Sequence, residues 1–208
     1  MNVVTVLIAV EGMDHSGKTT LTGSLASALR PAWRVRTCRE PSHGPIGTVF
    51  RRLSATGATS AMAMALLSAA DRHAEQVQLQ RHLADCDVLL ADRYYLSGLA
   101  YHHADGVDPT LYQRIAGDVR RPDAYLFLEV DAATAAARVC GPPDSVWEQR
   151  VFAARLPGSY ERCLDLIIAT EGAYVMRIDA ARPVEDVHAV AIAAVSGLLA
   201  GISGRTTT

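Results

Sequence analysis

Continuous apolar runs alternate with segments of helical spacing along the whole chain. A run such as DVLLAD, at Asp87–Asp92, is typical of a strand that is buried on both faces of a parallel sheet. The five predicted strands are Val3–Val10, Arg34–Cys38, Asp87–Asp92, Ala124–Val130 and Tyr174–Ile178.

Between these runs, apolar residues recur every three to four positions, which predicts helices. The predicted helices are Lys18–Leu29, Thr48–Leu53, Ala61–Ala84, Tyr95–His103, Pro109–Val119, Ala132–Val139, Val146–Thr170 and Pro183–Leu199. The segment Arg39–Gly47, REPSHGPIG, is predicted to be a loop by its proline and glycine content. We expect a break in the seventh helix at Pro157-Gly158, and a frayed chain end over Gly201–Thr208.

The alternation of strands with helices also predicts the fold class. It is typical of a three-layer α/β domain, in which right-handed crossovers place helices on both faces of a five-stranded parallel sheet. No internal repeat or low-complexity linker interrupts the 208 residues. A chain of this length suits one domain with a full core, so we expect a single domain over residues 1–208.

Composition narrows the class of protein further. Hydrophobic residues make up 50% of the chain and charged residues 20%, with a net charge of −2. Such a composition is that of a soluble globular protein, and the absence of a basic stripe argues against a nucleic-acid partner. The first apolar run is too short to span a membrane and lacks a signal-peptide pattern, so no membrane contact is expected. Four widely spaced cysteines suit a reducing compartment, and we expect a cytoplasmic location.

The first predicted strand runs directly into a glycine-rich segment. Gly12–Thr19 fits the pattern G-x-x-x-x-G-K-[ST], and a predicted helix follows at once. This order is that of the phosphate-binding loop in P-loop NTPase folds, where backbone N–H groups and the helix N-terminus point at phosphates. Lys18 would reach the β- and γ-phosphates, and the Thr19 hydroxyl would bind Mg²⁺. The predicted nucleotide-binding residues are Gly12, Met13, Asp14, His15, Ser16, Gly17, Lys18, Thr19 and Thr20.

The lysine of this loop has a compositional peculiarity. Lys18 is the only lysine in the chain, and every other strongly basic side chain is an arginine. An ammonium group is a compact point charge, whereas a guanidinium group is broad and planar. A lysine at this one place therefore indicates that the site needs the compact charge.

The segment after the third predicted strand adds further candidates. Asp92 would lie at the carboxyl edge of the sheet, where ligands of open α/β sheets bind and where a carboxylate can hold Mg²⁺. Arg93 follows directly, and Arg39, Arg51 and Arg72 lie in segments that would face the same edge. Several guanidinium groups beside a phosphate loop favour transfer between two phosphorylated molecules, where negative charge accumulates. No N-K-x-D stretch is present, which argues against a switch GTPase.

Six ordered segments also carry a resemblance to a known family. They are EGMDHSGKTT, REPSHGPIG with the arginine-bearing helix after it, LLSAADR, DRYYLSGLAY, the strand Pro122–Val130, and the loop and helix Ile178–Val187. Together these segments resemble the thymidylate kinases, and the resemblance covers most of the chain.

The resemblance implies an activity. Enzymes of this family transfer the γ-phosphoryl group of ATP in line to a deoxynucleoside 5′-monophosphate, with Mg²⁺ and without a covalent intermediate. The acceptor would be dTMP or a related or modified pyrimidine nucleotide, and the enzyme would be a homodimer with a short lid near residues 140–150. By position, the catalytic residues would be Lys18, Asp14, Arg93 and His15, and the metal-binding residues Thr19 and Asp92.

The acceptor site follows from the same resemblance. Asp14 matches a carboxylate that orients the acceptor sugar, and Tyr101 matches a tyrosine that crowds the 2′ position and so favours deoxyribose. Arg51, Arg72 and Arg93 match arginines that contact the acceptor's phosphate or base. The implied acceptor-binding residues are Asp14, Glu40, Pro41, Arg51, Ser68, Arg72, Arg93, Gly98, Tyr101 and His102.

Three of these positions depart from the family pattern, and all three belong to the base pocket. Ser68 stands where the family has a phenylalanine that stacks on thymine, and such stacking is worth roughly 1–3 kcal/mol. Gly98 stands where a polar side chain is common, and His102 where glutamine is usual. The changes indicate either a different or modified base, or the same base with Tyr95 or His102 compensating for the lost ring.

This chain also lacks the catalytic arginine at the positions where the family keeps it. The family keeps it in the phosphate loop or in the lid, whereas this chain has His15 in the loop and no arginine in Cys140–Glu148. Either a flanking arginine serves, from Arg138, Arg150 or Arg155, or turnover is slow. His15 itself would either donate to the β/γ-bridging region or be solvated at the mouth of the loop.

Two other functions are compatible with the sequence. A nucleoside kinase acting on a free 5′-hydroxyl would need a general base, for which Asp14, Glu40 and Asp92 are candidates. A degenerate kinase that binds nucleotide without transfer is the second, and it is suggested by the lid without arginine.

Overall fold

A computed structural model describes residues 5–138 and 146–205 of the chain. Within these residues, five parallel strands form one sheet in the order β2-β3-β1-β4-β5. The strands are β1 Val6–Gly12, β2 Val35–Arg39, β3 Val88–Asp92, β4 Ala124–Glu129 and β5 Val175–Asp179. The predicted five-stranded parallel α/β sheet is confirmed, whereas the loop of the predicted lid, Cys140–Ser145, lies outside the described residues.

Helices connect consecutive strands and cover the sheet. Over the described parts of the chain they are α1 Lys18–Leu29, α2 Pro45–Thr56, α3 Ala61–Asp85, α4 Tyr95–Ala104, α5 Pro109–Ala116, α6 Ala132–Ala137, α7 Val146–Glu171 and α8 Val184–Arg205.

Alternate residues of β1 point into two separate cores, one on each side of the sheet. Ile8 packs in a cluster with apolar residues of α1 and α8, whereas Leu7 packs in a cluster with α3, α4 and α7. Both side chains have no exposed surface. Because a strand covered on both faces has no polar side, its sequence is a continuous apolar run. This is the physical reason that the inner strands β1, β3 and β4 were predictable, whereas the edge strands β2 and β5 are partly exposed.

The helix bounds differ from the predicted ones in several places. α2 begins at Pro45 rather than Thr48, because a proline is favoured in the first turn, where its missing N–H has no partner to lose. α5 ends at Ala116, three residues early, where Gly117 adopts a φ of 58°. α8 continues to Arg205 and includes the first five residues of the segment predicted to fray, with Ile202 packed on the core.

The predicted break at Pro157-Gly158 does not occur, and α7 runs through it. Leu156 and Tyr160 are buried on either side of the proline, at 0% and 1% exposure. A proline inside a helix removes one backbone donor, and its ring crowds the carbonyl group four residues earlier. The apolar contacts before and after it hold the two halves in line, so tertiary packing overrides the local signal.

α8 is a long and strongly apolar helix. Its segment Val184–Ile202 is long and apolar enough to cross a membrane, judged by length and composition alone. Val187, Ala191, Val195 and Leu199 nevertheless form a buried stripe against the sheet core. Four-residue spacing of this kind places one helix face on a core, as in the core helices of ordinary domains.

The carboxyl ends of the parallel strands meet at one edge of the sheet. Asp92, at the end of β3, pairs in register with Val10 of β1 and with Arg39 of β2. Loops that leave this edge carry the phosphate-loop motif, the segment after Arg39 and the segment after Asp92. The fold therefore brings three of the predicted motifs together.

Candidate active site

The glycine-rich loop lies between β1 and α1 and depends on its two glycines. Gly12 has a φ of 144°, and a Cβ added there would lie 2.7 Å from the Leu128 carbonyl oxygen and 2.9 Å from Ser16 Oγ. Gly17 has a φ of 95° and caps α1 directly before Lys18. No other residue type tolerates both the backbone conformation and the close approach at Gly12. The loop can thus bend tightly enough to direct its N–H groups at an anion.

Lys18 folds back over this loop. Its side chain is buried, its Nζ donates a hydrogen bond to the Met13 carbonyl oxygen, and Ser16 Oγ lies 3.5 Å away. His15 projects from the mouth of the loop, exposed, with a φ of 61°. Thr20, in the first turn of α1, is also exposed. Lys18 is therefore enclosed by the loop, whereas His15 faces solvent.

The two predicted metal-binding residues are in direct contact. The Thr19 hydroxyl donates a hydrogen bond of 2.6 Å to Asp92 Oδ2, which joins the start of α1 to the end of β3. One hydroxyl and one carboxylate are hard oxygen ligands, which fit Mg²⁺ when phosphates and water complete its shell. Among the described residues, no cluster of three or more His, Cys, Asp or Glu forms a cage for another metal.

Asp14, Arg93 and Tyr101 form a second connected group beside the loop. Arg93 Nη2 forms an ion pair with Asp14, and the Tyr101 hydroxyl donates to the other carboxylate oxygen over 2.7 Å. The Arg93 guanidinium also lies over the Tyr101 ring, 5.1 Å from its centroid. Arg93 has a φ of 65°, which only the surrounding contacts can hold for a residue with a side chain. The three predicted residues therefore form one rigid unit.

Glu11 supports this unit, although its role was not predicted. It has no exposed surface and accepts hydrogen bonds from the Tyr94 backbone N–H and the Ser97 hydroxyl. Burial raises the pKa of Glu11, and the Ser97 hydrogen bond and the Arg93 charge lower it only in part. The only signal in the sequence is a charged residue inside an apolar strand, directly before the loop. A buried acid of this kind fixes the chain directly after Arg93, through Tyr94 and Ser97.

A cleft opens next to Arg93 and Tyr101. Eight of the ten predicted acceptor residues line it, which are Glu40, Pro41, Ser68, Arg72, Arg93, Gly98, Tyr101 and His102. Its wall also includes four residues that were not predicted, which are Phe50, Asp71, Tyr94 and Ser97. Asp14 reaches the cleft through its contacts with Arg93 and Tyr101. Tyr95, expected as a stacking candidate, lies outside the lining and is fully buried.

Arg72 and Glu40 form a buried ion pair in the wall of the cleft. Arg72 is 1% exposed, and its Nε donates to the two Glu40 carboxylate oxygens over 2.9 and 3.1 Å. Burial lowers the pKa of Arg72, but the Glu40 carboxylate outweighs it and keeps the pKa well above its usual value. Burial raises the pKa of Glu40, and Arg72 opposes that rise. The geometry is that of an ionised pair at neutral pH.

The loop after Glu40 is fixed from behind. Asp71 accepts hydrogen bonds from the Ser42 backbone N–H and hydroxyl, over 2.7 and 2.6 Å. Arg51 Nη1 donates to the carbonyl oxygens of Pro41 and Ser42, over 3.0 and 2.6 Å. Arg51 therefore lies outside the lining of the cleft and positions the loop that carries Glu40. Its neighbour Phe50 is the residue of this helix that lines the cleft.

Comparison with known proteins agrees with this geometry. The family model described as thymidylate kinase matches residues 10–191. A protein of Xanthomonas oryzae named thymidylate kinase is 35% identical over 202 residues, covering 94% of this chain and 86% of its own length. Its counterpart in Xanthomonas euvesicatoria is 36% identical over 94% of this chain and 87% of its own length. The chain belongs to the thymidylate kinase family. It is a nucleoside monophosphate kinase, and the nucleoside-kinase alternative is not favoured.

A third relative aligns over a shorter stretch. A protein of Pyrobaculum calidifontis named probable thymidylate kinase is 39% identical over 135 residues, which cover 64% of this chain and 68% of that protein.

The three departures from the family pattern meet in one part of the cleft. Ser68 is half-buried on α3, Gly98 lies on α4, and His102 is one turn further along α4 with 1% exposure. The His102 ring packs edge-on to Phe50, with 6.3 Å between centroids and 89° between planes. An aromatic surface is thus present in the cleft, but it comes from α2 and α4 rather than from position 68.

The flanking arginines of the lid are only partly described. Arg138 Nη2 donates to the Ala180 carbonyl oxygen over 2.7 Å, and Arg155 is exposed on α7. The side chain of Arg150 and the segment Cys140–Ser145 lie outside the described residues. Which arginine serves the transferred phosphate thus stays a prediction.

His102 makes stability depend on pH in a predictable direction. Burial, together with the Arg72 charge, lowers its pKa from 6.5 to about 3. As the pH falls below 6.5, the unfolded chain takes up a proton at His102 and the folded chain does not, so stability is lost down to about pH 3. We expect the stability advantage of wild type over His102→Gln to shrink by about 1.4 kcal/mol per pH unit between pH 6 and 4.

Urea unfolding of both proteins over this pH range measures the effect, because other titrating groups cancel in the difference. His188→Gln, at a half-exposed position of α8, is the matched control and should track wild type. A constant difference between wild type and His102→Gln would show that His102 titrates normally.

Proposed function

We propose that this kinase transfers the γ-phosphoryl group of ATP, as its Mg²⁺ complex, to the 5′-phosphate of a pyrimidine deoxynucleotide, dTMP or a close relative. One observation carries the proposal. The loop with Lys18 and Thr19 adjoins the Arg93–Asp14–Tyr101 unit, so a donor and an acceptor would meet at one edge of the sheet. The names of the relatives, thymidylate kinase, support dTMP as the parent acceptor. We assign this reaction to one domain formed by residues 1–208.

The donor half would work by charge neutralisation. Thr19 and Asp92 would hold Mg²⁺, and the bound ion would supply positive charge to neutralise the phosphates of ATP. The loop N–H groups from Gly12 to Lys18 would bind the phosphates, and the Lys18 ammonium would contact the group in transfer. Because Lys18 is buried, water screens its charge less than that of an exposed lysine.

The acceptor half would work by positioning. Arg93, held by Asp14 and the Gly12 carbonyl oxygen, would face the acceptor phosphate. Tyr101, fixed by Asp14, would occupy the space of a 2′-hydroxyl and favour deoxyribose. Glu40, Pro41 and the wall residues Ser68, Arg72, Gly98 and His102 would surround the base. In such reactions, most of the acceleration comes from holding the two phosphates in line at short distance.

An acceptor panel tests this function. Purified protein with ATP and Mg²⁺ should phosphorylate dTMP or another pyrimidine deoxynucleotide, and should leave thymidine, with its free 5′-hydroxyl, untouched. Transfer to thymidine alone would support the nucleoside-kinase alternative. ATP binding without transfer to any acceptor would support a degenerate kinase, and either result would refute the proposal.

His15 gives a prediction of its own. If no arginine reaches the transferred phosphate, adding one at the loop should help, because an arginine there is worth about 10³-fold or more. We expect His15→Arg to raise kcat at least about tenfold. The gain should be smaller than that of a natural catalytic arginine, because the new side chain will not be placed perfectly. Gln80→Arg adds the same charge at an exposed position of α3 and is the control. A kcat no higher than wild type would show that another arginine already serves.

We also propose that the enzyme is a cytoplasmic homodimer. α3 exposes Met62, Leu66 and Val77, at 39%, 49% and 63%, and these positions fall on one side of the helix. An apolar stripe of this kind suits a second copy of the same helix. Sedimentation equilibrium at micromolar concentration should give twice the chain mass, and Leu66→Glu should give the monomer. A monomeric wild type would refute the proposal.

A further inference from the structure

The three departures from the family pattern are not independent, because all of them contact Tyr112 of α5. Ser68 Oγ lies 2.8 Å from the Tyr112 hydroxyl. The His102 ring stacks on the Tyr112 ring, with 5.0 Å between centroids and 31° between planes. A Cβ at Gly98 would lie 2.4 Å from the Tyr112 hydroxyl, so a larger residue there would have to displace the buried tyrosine. One buried ring thus accounts for three changes in the base pocket.

Tyr112 lies behind the wall of the cleft rather than in it. Its side chain has no exposed surface and is not part of the lining, whereas Ser68, Gly98 and His102 are. Tyr112 can therefore act on a ligand only through these neighbours and through Arg72, whose Nη1 donates to its hydroxyl over 3.1 Å.

The chemistry of Arg72 fixes the direction of the hydrogen bonds. A guanidinium group only donates, so the Tyr112 oxygen accepts from Arg72. The Tyr112 proton then needs an acceptor, and within the described residues Ser68 Oγ is the only other polar atom in reach of that hydroxyl. The reverse direction would leave a buried hydroxyl hydrogen without an acceptor, which is unfavourable. Tyr112 thus donates to Ser68.

Ser68 is left with one hydrogen to donate. Its Oγ accepts from Tyr112, and among the described residues Oγ has no second hydrogen-bond partner, not even the helix carbonyl one turn back. Ser68 lines the cleft, so its O–H is available to a ligand there. The serine is also much smaller than the phenylalanine typical of the family at this position. The wall at α3 therefore has both added room and a hydrogen-bond donor.

We propose that this wall selects a pyrimidine deoxynucleotide whose base carries a polar, hydrogen-bond-accepting substituent, and that Tyr112 is the positioning residue that sets this preference. The inference deepens the proposed function and rests on it. A methyl group offers nothing to the Ser68 hydroxyl and would leave it unsatisfied, whereas a hydroxymethyl group fills the room and accepts the hydrogen bond. Sites that hydrogen-bond a substrate group discriminate strongly against the analogue that lacks it.

The test compares dTMP with 5-hydroxymethyl-dUMP as acceptors, at saturating ATP and Mg²⁺. We expect wild type to favour 5-hydroxymethyl-dUMP by about tenfold or more in kcat/KM, mostly through KM. Ser68→Ala removes the hydroxyl that donates to the base, and it should bring the ratio of the two kcat/KM values close to one. Tyr112→Phe keeps the ring but removes the hydroxyl that orients Ser68. It should lower the preference for 5-hydroxymethyl-dUMP over dTMP at least about fivefold. Tyr174→Phe, at an exposed position, is the matched control and should keep the wild-type ratio.

Each outcome decides the proposal. A wild type that favours dTMP, or a ratio unchanged in Ser68→Ala, would overturn it and leave the proposed function intact. A Tyr112→Phe variant that loses activity equally with both acceptors would show a structural role alone. If Tyr112→Phe does not fold, the acceptor preference measured for Ser68→Ala decides the proposal by itself. Wild type inactive with every pyrimidine deoxynucleotide would refute the proposed function together with this inference.

Discussion

Lys18→Arg should lower kcat by at least about 100-fold, although it preserves the positive charge. The Lys18 side chain is buried, and its Nζ is enclosed by the Met13 carbonyl oxygen and Ser16. A guanidinium group is broader and planar, so it cannot occupy the same space and would displace the loop. Lys18→Met keeps the length of the side chain but removes its charge, and its kcat should fall by a similar or larger factor. Steady-state assays with ATP and the best acceptor of the panel measure both.

Arg30→Met is the matched control for this experiment. Arg30 caps the other end of the same helix and is exposed, so its loss should leave kcat unchanged. Melting temperatures of all variants show whether the fold is retained. Lys18→Arg with more than a tenth of wild-type kcat would contradict the idea that the loop requires a compact charge.

Arg72→Met should lower the free energy of unfolding by about 3–5 kcal/mol. Arg72 is 1% exposed, and its removal leaves the Glu40 carboxylate largely buried without its cation. The burial that raises the pKa of Glu40 then acts unopposed, so the carboxyl binds a proton more readily in the folded state. The loss of stability should therefore be smaller near pH 5 than at pH 8, because the uncharged carboxyl is easier to bury. Urea unfolding at both pH values measures it.

Two comparisons separate this effect from general damage. Adding Glu40→Gln to Arg72→Met should recover part of the loss, since the uncompensated charge disappears. Arg177→Met removes an arginine whose partners Glu161 and Glu129 are both largely exposed, and it should cost less than about 1 kcal/mol. Equal losses for Arg72→Met and Arg177→Met would contradict the assignment of the buried pair.

Much of the fold could be predicted from the sequence because burial on both faces of a strand leaves a continuous apolar run. The helix bounds were less predictable. Pro157 has a strong local preference to end a helix, but Leu156 and Tyr160 pack on the core and keep α7 continuous. Such contacts join residues far apart in the sequence, and no local pattern reports them.

The site was predictable where its residues begin or end a strand. The loop at Gly12–Thr19 and the segment from Asp92 follow apolar runs, so their place at the carboxyl edge comes from the parallel topology. Arg51, predicted to contact the acceptor, holds the loop after Glu40 in this structure while its neighbour Phe50 lines the cleft, and its role toward an acceptor stays a prediction. Adjacent residues of a helix point about 100° apart, and sequence alone does not give the rotation of the helix.

Tyr112 could not have been found from the sequence at all. It is one aromatic residue in a short helix, and its partners Ser68 and Arg72 lie 44 and 40 positions earlier in the chain. Nothing in its local pattern distinguishes it from an ordinary core residue.

The missing side chain at Gly98 also couples position 98 to position 112. A Cβ at position 98 would lie 2.4 Å from the Tyr112 hydroxyl and 2.8 Å from Arg72 Nη2, so a larger residue there would have to displace the ends of both buried side chains. A residue with a side chain at position 98 is therefore easier to accommodate when position 112 carries no hydroxyl group. We expect a chain that keeps the tyrosine to keep the glycine as well.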